Sequence, residues 1–125
     1  MAITSAICSS FKQELLQGKH NFSSSSGDSF KIALFDSSAT LGAATTDYST
    51  SEEITNTSGT AYTAGGKALT NSGVGLTSTT AFTDFSDVSW TTASFTANGA
   101  LIYNTTTVTS TSTTDAVCAI AFGSD

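Results

Sequence analysis

The sequence contains no proline and no arginine, and its four lysines are outnumbered by ten acidic residues, which gives a formal net charge of −6. No basic patch interleaved with aromatic residues is present to neutralise nucleic-acid phosphates. No apolar run is long enough to cross a bilayer, and no cation precedes the first apolar residues as it would in a secretory signal. We therefore expect no nucleic-acid partner, no membrane partner and cytoplasmic synthesis without a signal peptide.

Groups that carry catalysis or bind metals are also scarce. Cys8 and Cys118 lie in apolar segments near opposite ends of the chain without a CxxC pair, which favours two buried free thiols and leaves a bridge between them as the alternative. The only histidine, His20, follows a predicted helix end, where we expect it solvated or capping that end. Asp84 and Asp87 lack the further ligands that calcium needs. The sequence predicts no enzyme, no cofactor and no metal site.

Serine and threonine make up about a third of the residues, far above ordinary usage. Threonine packs well on a pleated sheet, whereas serine and glycine suit turns. A chain of 125 residues has the length of one domain. We predict a single domain, 1–125, with a mainly β fold: an antiparallel β-sandwich of jelly-roll-like type with one N-terminal helix and strands from about residue 30 onward. The predicted strands are Phe30–Asp36, Lys67–Thr70, Val74–Thr77, Thr80–Phe85, Val88–Thr96, Ala100–Tyr103 and Ala116–Phe122.

The helix is predicted at about residues 4–17. Ile7, Phe11 and Leu15 recur every four residues and form an apolar stripe, a hydroxyl group at residue 4 or 5 can cap the start, and Gly18 supplies the stop. Such a stripe is usually part of the core. The alternative is a docking helix in which these three residues bind another subunit.

The segment from Ser37 to Gly66 is rich in serine, threonine and glycine and has no strong periodicity. Long loops of this kind often carry binding specificity, and Tyr48 and Tyr62 are its candidates for stacking on a ligand such as a glycan. Glu52 and Glu53 are expected at a solvated edge. The AGGKAL stretch at the end of the segment departs from a phosphate-binding loop and predicts a turn entering a strand.

The stretch from Val88 to Asn104 has no charged residue and three aromatic ones. Asn98 and Gly99 suit a two-residue hairpin turn, so we predict a hairpin at the centre of the core. An aromatic ligand platform is the alternative interpretation of the same residues.

Several segments, in order, resemble a family of small structural proteins from tailed bacteriophages. They are MAITSAICSSFKQELLQGKH, FKIALFDSSATL, YTAGGKAL, FTDFSDVSW to GALIYN, and CAIAFGSD, and together they span nearly the whole chain. The resemblance implies a non-enzymatic virion protein. Small size and a single β domain favour a capsid decoration or cement protein that packs on the major capsid protein or other virion proteins as a homo-oligomer. The alternative is a tail or head-fibre module that binds host glycans.

Members of this family usually continue past the GSD position with another strand-like segment, whereas this chain ends at Asp125. A missing final strand would leave an exposed sheet edge or one completed by a neighbouring chain.

Overall fold

A computed structural model describes residues 2–54, 61–106 and 113–123, and these form a mainly β fold with one short helix. The elements are β1 Ala6–Ile7, α1 Ser9–Leu16, β2 Phe30–Phe35, β3 Lys67–Leu69, β4 Asn71–Thr77, β5 Thr80–Phe85, β6 Gly99–Asn104 and β7 Asp115–Ala121. Five strands form an antiparallel sheet in the order β1-β7-β6-β2-β3, and β4 and β5 form a separate two-stranded sheet. The prediction of a mainly β, sandwich-like antiparallel fold with an N-terminal helix is confirmed.

The core lies around the central strands β2 and β6. Ala33, Leu101 and Ala119 form one row across β2, β6 and β7, and they are 0%, 1% and 2% exposed. Paired residues in adjacent strands share a face, so this row is closed to solvent along its length. A shift of one residue in register would turn Leu101 out of the core, which fixes the pairing of the central strands.

The predicted strand at Val88–Thr96 is wrong, and so is the hairpin built on it. Residues 86–98 are irregular, because Trp90 and Phe95 fold back onto Tyr62, with ring centroids 6.0 and 5.7 Å from it. Gly99 lies inside β6, paired with β2 on one side and with β7 on the other. Trp90 and Phe95 therefore pack against the cluster that contains Leu34 and Ala100 of the central strands, and they do not extend the sheet.

The helix begins later than predicted, at Ser9. The residues just before it are used by the sheet: Ile7 pairs with Cys118 of β7, and the Ser5 hydroxyl accepts a hydrogen bond at 2.8 Å from the backbone N–H of the last residue of β7. The predicted stop is confirmed, since Gly18 has a φ of +74°.

The turn before β3 is present as predicted, and it depends on glycine. Gly66 has a φ of +80°, and a Cβ at this position would lie 1.8 Å from the carbonyl oxygen of Ile32. No other residue fits there without moving the neighbouring strand. This turn fixes where β3 begins, and a single residue, Thr70, then separates β3 from β4.

Candidate docking surface

Strands β4 and β5, with the turn between them, form a hairpin of residues 71–85 that we call the arm. Its two strands pack chiefly on each other, and neither is paired with another strand of the described residues. At its turn, Ser78 adopts a φ of +54°. A two-stranded hairpin alone is at best marginally stable in water, so the arm depends on what it packs against.

The base of the arm is anchored in the core. The Phe85 ring lies 6.1 Å from that of Phe22 and 5.6 Å from that of Phe30, between ring centroids. The Asn71 side-chain amide donates to the backbone carbonyls of Ser23 at 3.2 Å and Asp28 at 3.0 Å. These contacts fix the direction in which the arm leaves the sheet.

The outer part of the arm exposes large apolar side chains. Val74 is 63% exposed, Leu76 is 69% exposed and Phe82 is 48% exposed. The only charged residue in the arm is Asp84, and the arm contains no lysine or proline. Scattered exposed apolar residues are ordinary in monomers, but several together on one projecting element are typical of a binding surface.

Beside the arm lies an open recess of about 470 Å³, which we call the apolar groove. It is bounded by the arm, by α1 with β1, and by the middle of β6 and β7, and its lining includes Ile7, Phe11, Leu15, Val74, Phe82 and Cys118. The groove has almost no polar lining. The arm and the groove together form one continuous apolar surface.

The three residues predicted for the helix stripe divide between core and surface. Phe11 is 8% exposed and packs between His20 and Phe22, so it belongs to the core. Ile7 lies in β1, outside the helix, and it and Leu15 are about half exposed along the groove. The core interpretation therefore holds for Phe11, and the residues available for docking are Ile7 and Leu15.

The structure brings the hydroxyl groups of Tyr48 and Tyr62 together at the buried carboxylate of Glu53, with Tyr62 buried and Tyr48 half-buried. Tyr62 is 1% exposed, and the Tyr48 ring is stacked 4.3 Å from that of Tyr103. Both hydroxyls donate to the carboxylate of Glu53 at 2.5 Å, one to each oxygen, and the backbone N–H of Gly65 donates to it at 2.8 Å. The prediction that these tyrosines stack on a ligand is thus wrong for Tyr62, whose ring has no open face.

Glu53 is 6% exposed, which contradicts its expected place at a solvated edge. Burial, reinforced by the hydrogen bond to Glu53, raises the pKa of both Tyr48 and Tyr62 well above the usual range, and burial raises the pKa of Tyr103 to about 12. All three phenols therefore stay protonated and act as hydrogen-bond donors. The network ties the long loop to the sheet and has a structural role.

His20 is also buried, contrary to the expected solvated position. Its Nε2 donates to Glu14 at 2.9 Å, and its Nδ1 accepts from the Asn104 amide at 2.9 Å. The imidazole lies among the rings of Phe11, Phe22 and Phe30. Since both ring nitrogens are used inside the protein, His20 holds the helix end to β6 and is not placed for proton transfer with a substrate.

A second recess, of about 860 Å³, lies in the long loop that was predicted to bind a ligand. It is lined largely by small and hydroxyl-bearing residues between positions 38 and 52. The one aromatic ring that lines it, Phe35, is 1% exposed. A sugar in this recess would find hydroxyl groups and no open aromatic face.

Within the described residues, no group of three or more His, Cys, Asp or Glu side chains is placed to hold a metal ion. Both cysteines are free, Cys8 buried and Cys118 half-buried, and burial raises the pKa of the Cys8 thiol to about 11. No helix in the described ranges has the length and apolarity to span a membrane.

No model of a known protein family matches this chain, and searches of curated proteins and of solved structures find no match either. The assignment to a phage structural family therefore stays a prediction.

The arm is the feature that sequence analysis missed. Its two strands were predicted, but their separation from the main sheet was not. A signal was present in NSGVGLTSTTAFTDF, where apolar residues alternate with small ones and no lysine or proline guards the edges.

Proposed function

We propose that this protein is a non-enzymatic structural component of a virion, and specifically a capsid decoration protein that works by packing against other protein chains. The observation that carries the proposal is the continuous apolar surface formed by the arm and the groove. It presents half-exposed or more exposed side chains from three separate elements, β1, α1 and the arm. Such a surface is typical of one that binds another protein chain.

The energetics agree with this role. Covering a large apolar side chain that is half exposed is worth about 1 kcal/mol, so a few such contacts give a useful affinity. The arm is anchored by Phe85 and Asn71, which means that its exposed part is presented in a fixed direction. A preorganised surface loses less entropy on binding than a loose one.

The tailed-phage part of the proposal is supported by the resemblance of several consecutive segments over nearly the whole chain. A shell protein needs no catalytic group, and the buried positions of His20 and Glu53 fit a protein whose polar side chains hold its own fold. Decoration would stabilise the shell by adding buried area across subunit junctions, with the major capsid protein or other virion proteins as partners.

The proposal is tested with particles that lack this protein. Purified wild-type protein is added back, and the temperature at which the particles release DNA is measured. We expect that temperature to rise with wild-type protein and to rise less with Phe82→Ser. An unchanged release temperature with wild-type protein at saturating concentration would contradict a decoration role.

The second recess favours one alternative, a tail or head-fibre module that binds host glycans, since hydroxyl and carboxylate groups line it. A glycan array tests this alternative. Saturable binding that is lost in Ser38→Tyr or Glu52→Gln, both at exposed positions lining the recess, would support the adhesin. The absence of binding across the array would count against it.

A further inference from the structure

The outer part of the arm is left uncovered by the other residues that the structure describes. Val74 and Leu76 are more than 60% exposed, and neither strand of the arm pairs outside the hairpin within the described residues. The groove next to it stays open although Phe82 borders it. A projecting apolar element and an apolar recess therefore lie side by side. Val74 and Leu76 lie on one face of the arm and Phe82, paired with Gly75, on the other, and both Val74 and Phe82 border the recess.

We infer that a second copy of this chain covers this apolar surface: the arm of each copy lies in the apolar groove of the other, around a two-fold axis. In a two-fold interface the same patch meets itself, so it must hold both the projecting part and the part that receives it. This surface holds both. The inference rests on the proposed function only in treating this surface as one that binds another protein chain. The partner that it adds is a second copy of this chain.

The area available fits a dimer. Four large apolar side chains that line the groove are 47–63% exposed: Ile7, Leu15, Val74 and Phe82. Outside the lining, Leu16 on α1 is 92% exposed and Leu76 on the arm is 69% exposed, which makes six in all. At about 100 Å² of exposed surface each, they present on the order of 600 Å² per copy. Two copies would bury about 1,200 Å² in total, which reaches the lower end of the range for specific, stable interfaces.

The unpaired edges of the arm indicate that another protein chain covers them permanently. Monomeric proteins guard exposed strand edges with lysine, proline or a covering segment, and the arm contains neither of those residues. An edge needs no guard when an assembled partner covers it. The apolar face also carries little charge, since Asp84 is the arm's only charged residue, and two chains of net charge −6 can meet there with little local repulsion.

The first test is sedimentation equilibrium of the full chain from low to high micromolar concentration. We expect a reversible monomer–dimer equilibrium that Phe82→Ser weakens at least about tenfold. The matched control is Phe122→Ser, because Phe122 is exposed to the same 48% as Phe82 but lies outside the groove. A chain that stays monomeric throughout, or an equal effect of the two variants, would overturn the inference.

The second test locates the contact. A benzophenone amino acid replaces Leu76, and equal amounts of unlabelled and ¹⁵N-labelled chain are mixed before irradiation. We expect mixed-isotope cross-links from position 76 to peptides that contain β1 or α1. Cross-links within one copy only, or to surfaces away from the groove, would overturn the arrangement.

These results separate the two proposals. A monomer that still raises the release temperature of particles would overturn the dimer and leave the decoration role standing. A dimer with the expected cross-links that leaves the release temperature of the particles unchanged would overturn the decoration role and leave the dimer standing.

Discussion

The ring of Phe82 lies across Gly75, its cross-strand partner in the arm, so closely that a Cβ at position 75 would come within 2.5 Å of the ring. Glycine at this position leaves room for the ring to lie along the arm. The position of the Phe82 ring on the docking surface is therefore set by the absence of a side chain opposite it.

Gly75→Ala is expected to displace the Phe82 ring while leaving the core intact. Because the ring can turn away into solvent, we expect the free energy of unfolding to change by about 1 kcal/mol or less, whereas dimer dissociation should become several-fold easier. Urea unfolding and sedimentation equilibrium measure the two effects. Unchanged dimerisation would contradict a role for the ring at the interface.

Phe11 and Leu15 lie one turn apart on α1 but should respond differently to truncation. Phe11→Ala removes a ring packed between His20 and Phe22 and should cost about 3–5 kcal/mol of stability. Leu15→Ala, at a position 47% exposed, should cost well under 1 kcal/mol and instead weaken self-association. Thermal unfolding of both variants at equal concentration separates these outcomes, and similar losses of stability would contradict the division of the helix.

The Glu53 network predicts a large difference between neighbouring carboxylates. The Glu53 carboxylate accepts three hydrogen bonds, whereas the amide of Glu53→Gln would place an NH₂ group opposite one of the donors. The substitution should therefore lower the free energy of unfolding by about 2–4 kcal/mol. Glu52→Gln, at the adjacent exposed position, is the control and should change stability by at most about 0.5 kcal/mol. Equal midpoints of urea unfolding for the two variants would rule out a structural role for the buried carboxylate.

Alkaline pH should destabilise the fold. Burial raises the pKa of Cys8 from 9.0 to about 11 and that of Tyr103 from 10.0 to about 12, so the folded state holds these protons more tightly than the unfolded state. The stabilisation is complete below the unfolded values and is lost as pH rises through the folded ones. We expect the free energy of unfolding to fall between pH 9 and pH 11, the range bounded by the two Cys8 values. A flat profile over that range would contradict the burial of these groups, and Cys8→Ala should reduce the slope.

Elements with a clear local pattern were predicted well from the sequence. The strand Thr80–Phe85 agrees with the prediction at both ends, and β2 and β6 agree within one residue at either end. The helix ends at Leu16, just before the predicted stop residue Gly18. Periodicity and turn residues act over a few positions, so they specify such elements directly. They do not specify which strand each strand pairs with. For this reason β4 and β5 could be predicted as strands, but their pairing as a hairpin separate from the main sheet could not.

The positions of the buried polar groups depend on contacts that are distant in sequence. His20 is buried because Asn104 and three phenylalanine rings surround it, and Glu53 is buried because two tyrosines from different parts of the loop meet on it. A prediction from neighbouring residues alone places His20 and Glu53 on the surface, because polar and charged residues are usually exposed. The Val88–Thr96 segment was predicted wrongly for a related reason, since its aromatic residues pack on Tyr62, which is distant in sequence.

The most direct measurement is the copy number and position of this protein in purified phage particles, by quantitative mass spectrometry with electron microscopy of the same sample. The proposed role predicts a copy number comparable with that of the major capsid protein, and density on the shell in which neighbouring copies meet through their arms. A few copies at the tail would support the glycan-binding alternative. Absence of the protein from the particles would contradict the virion role altogether.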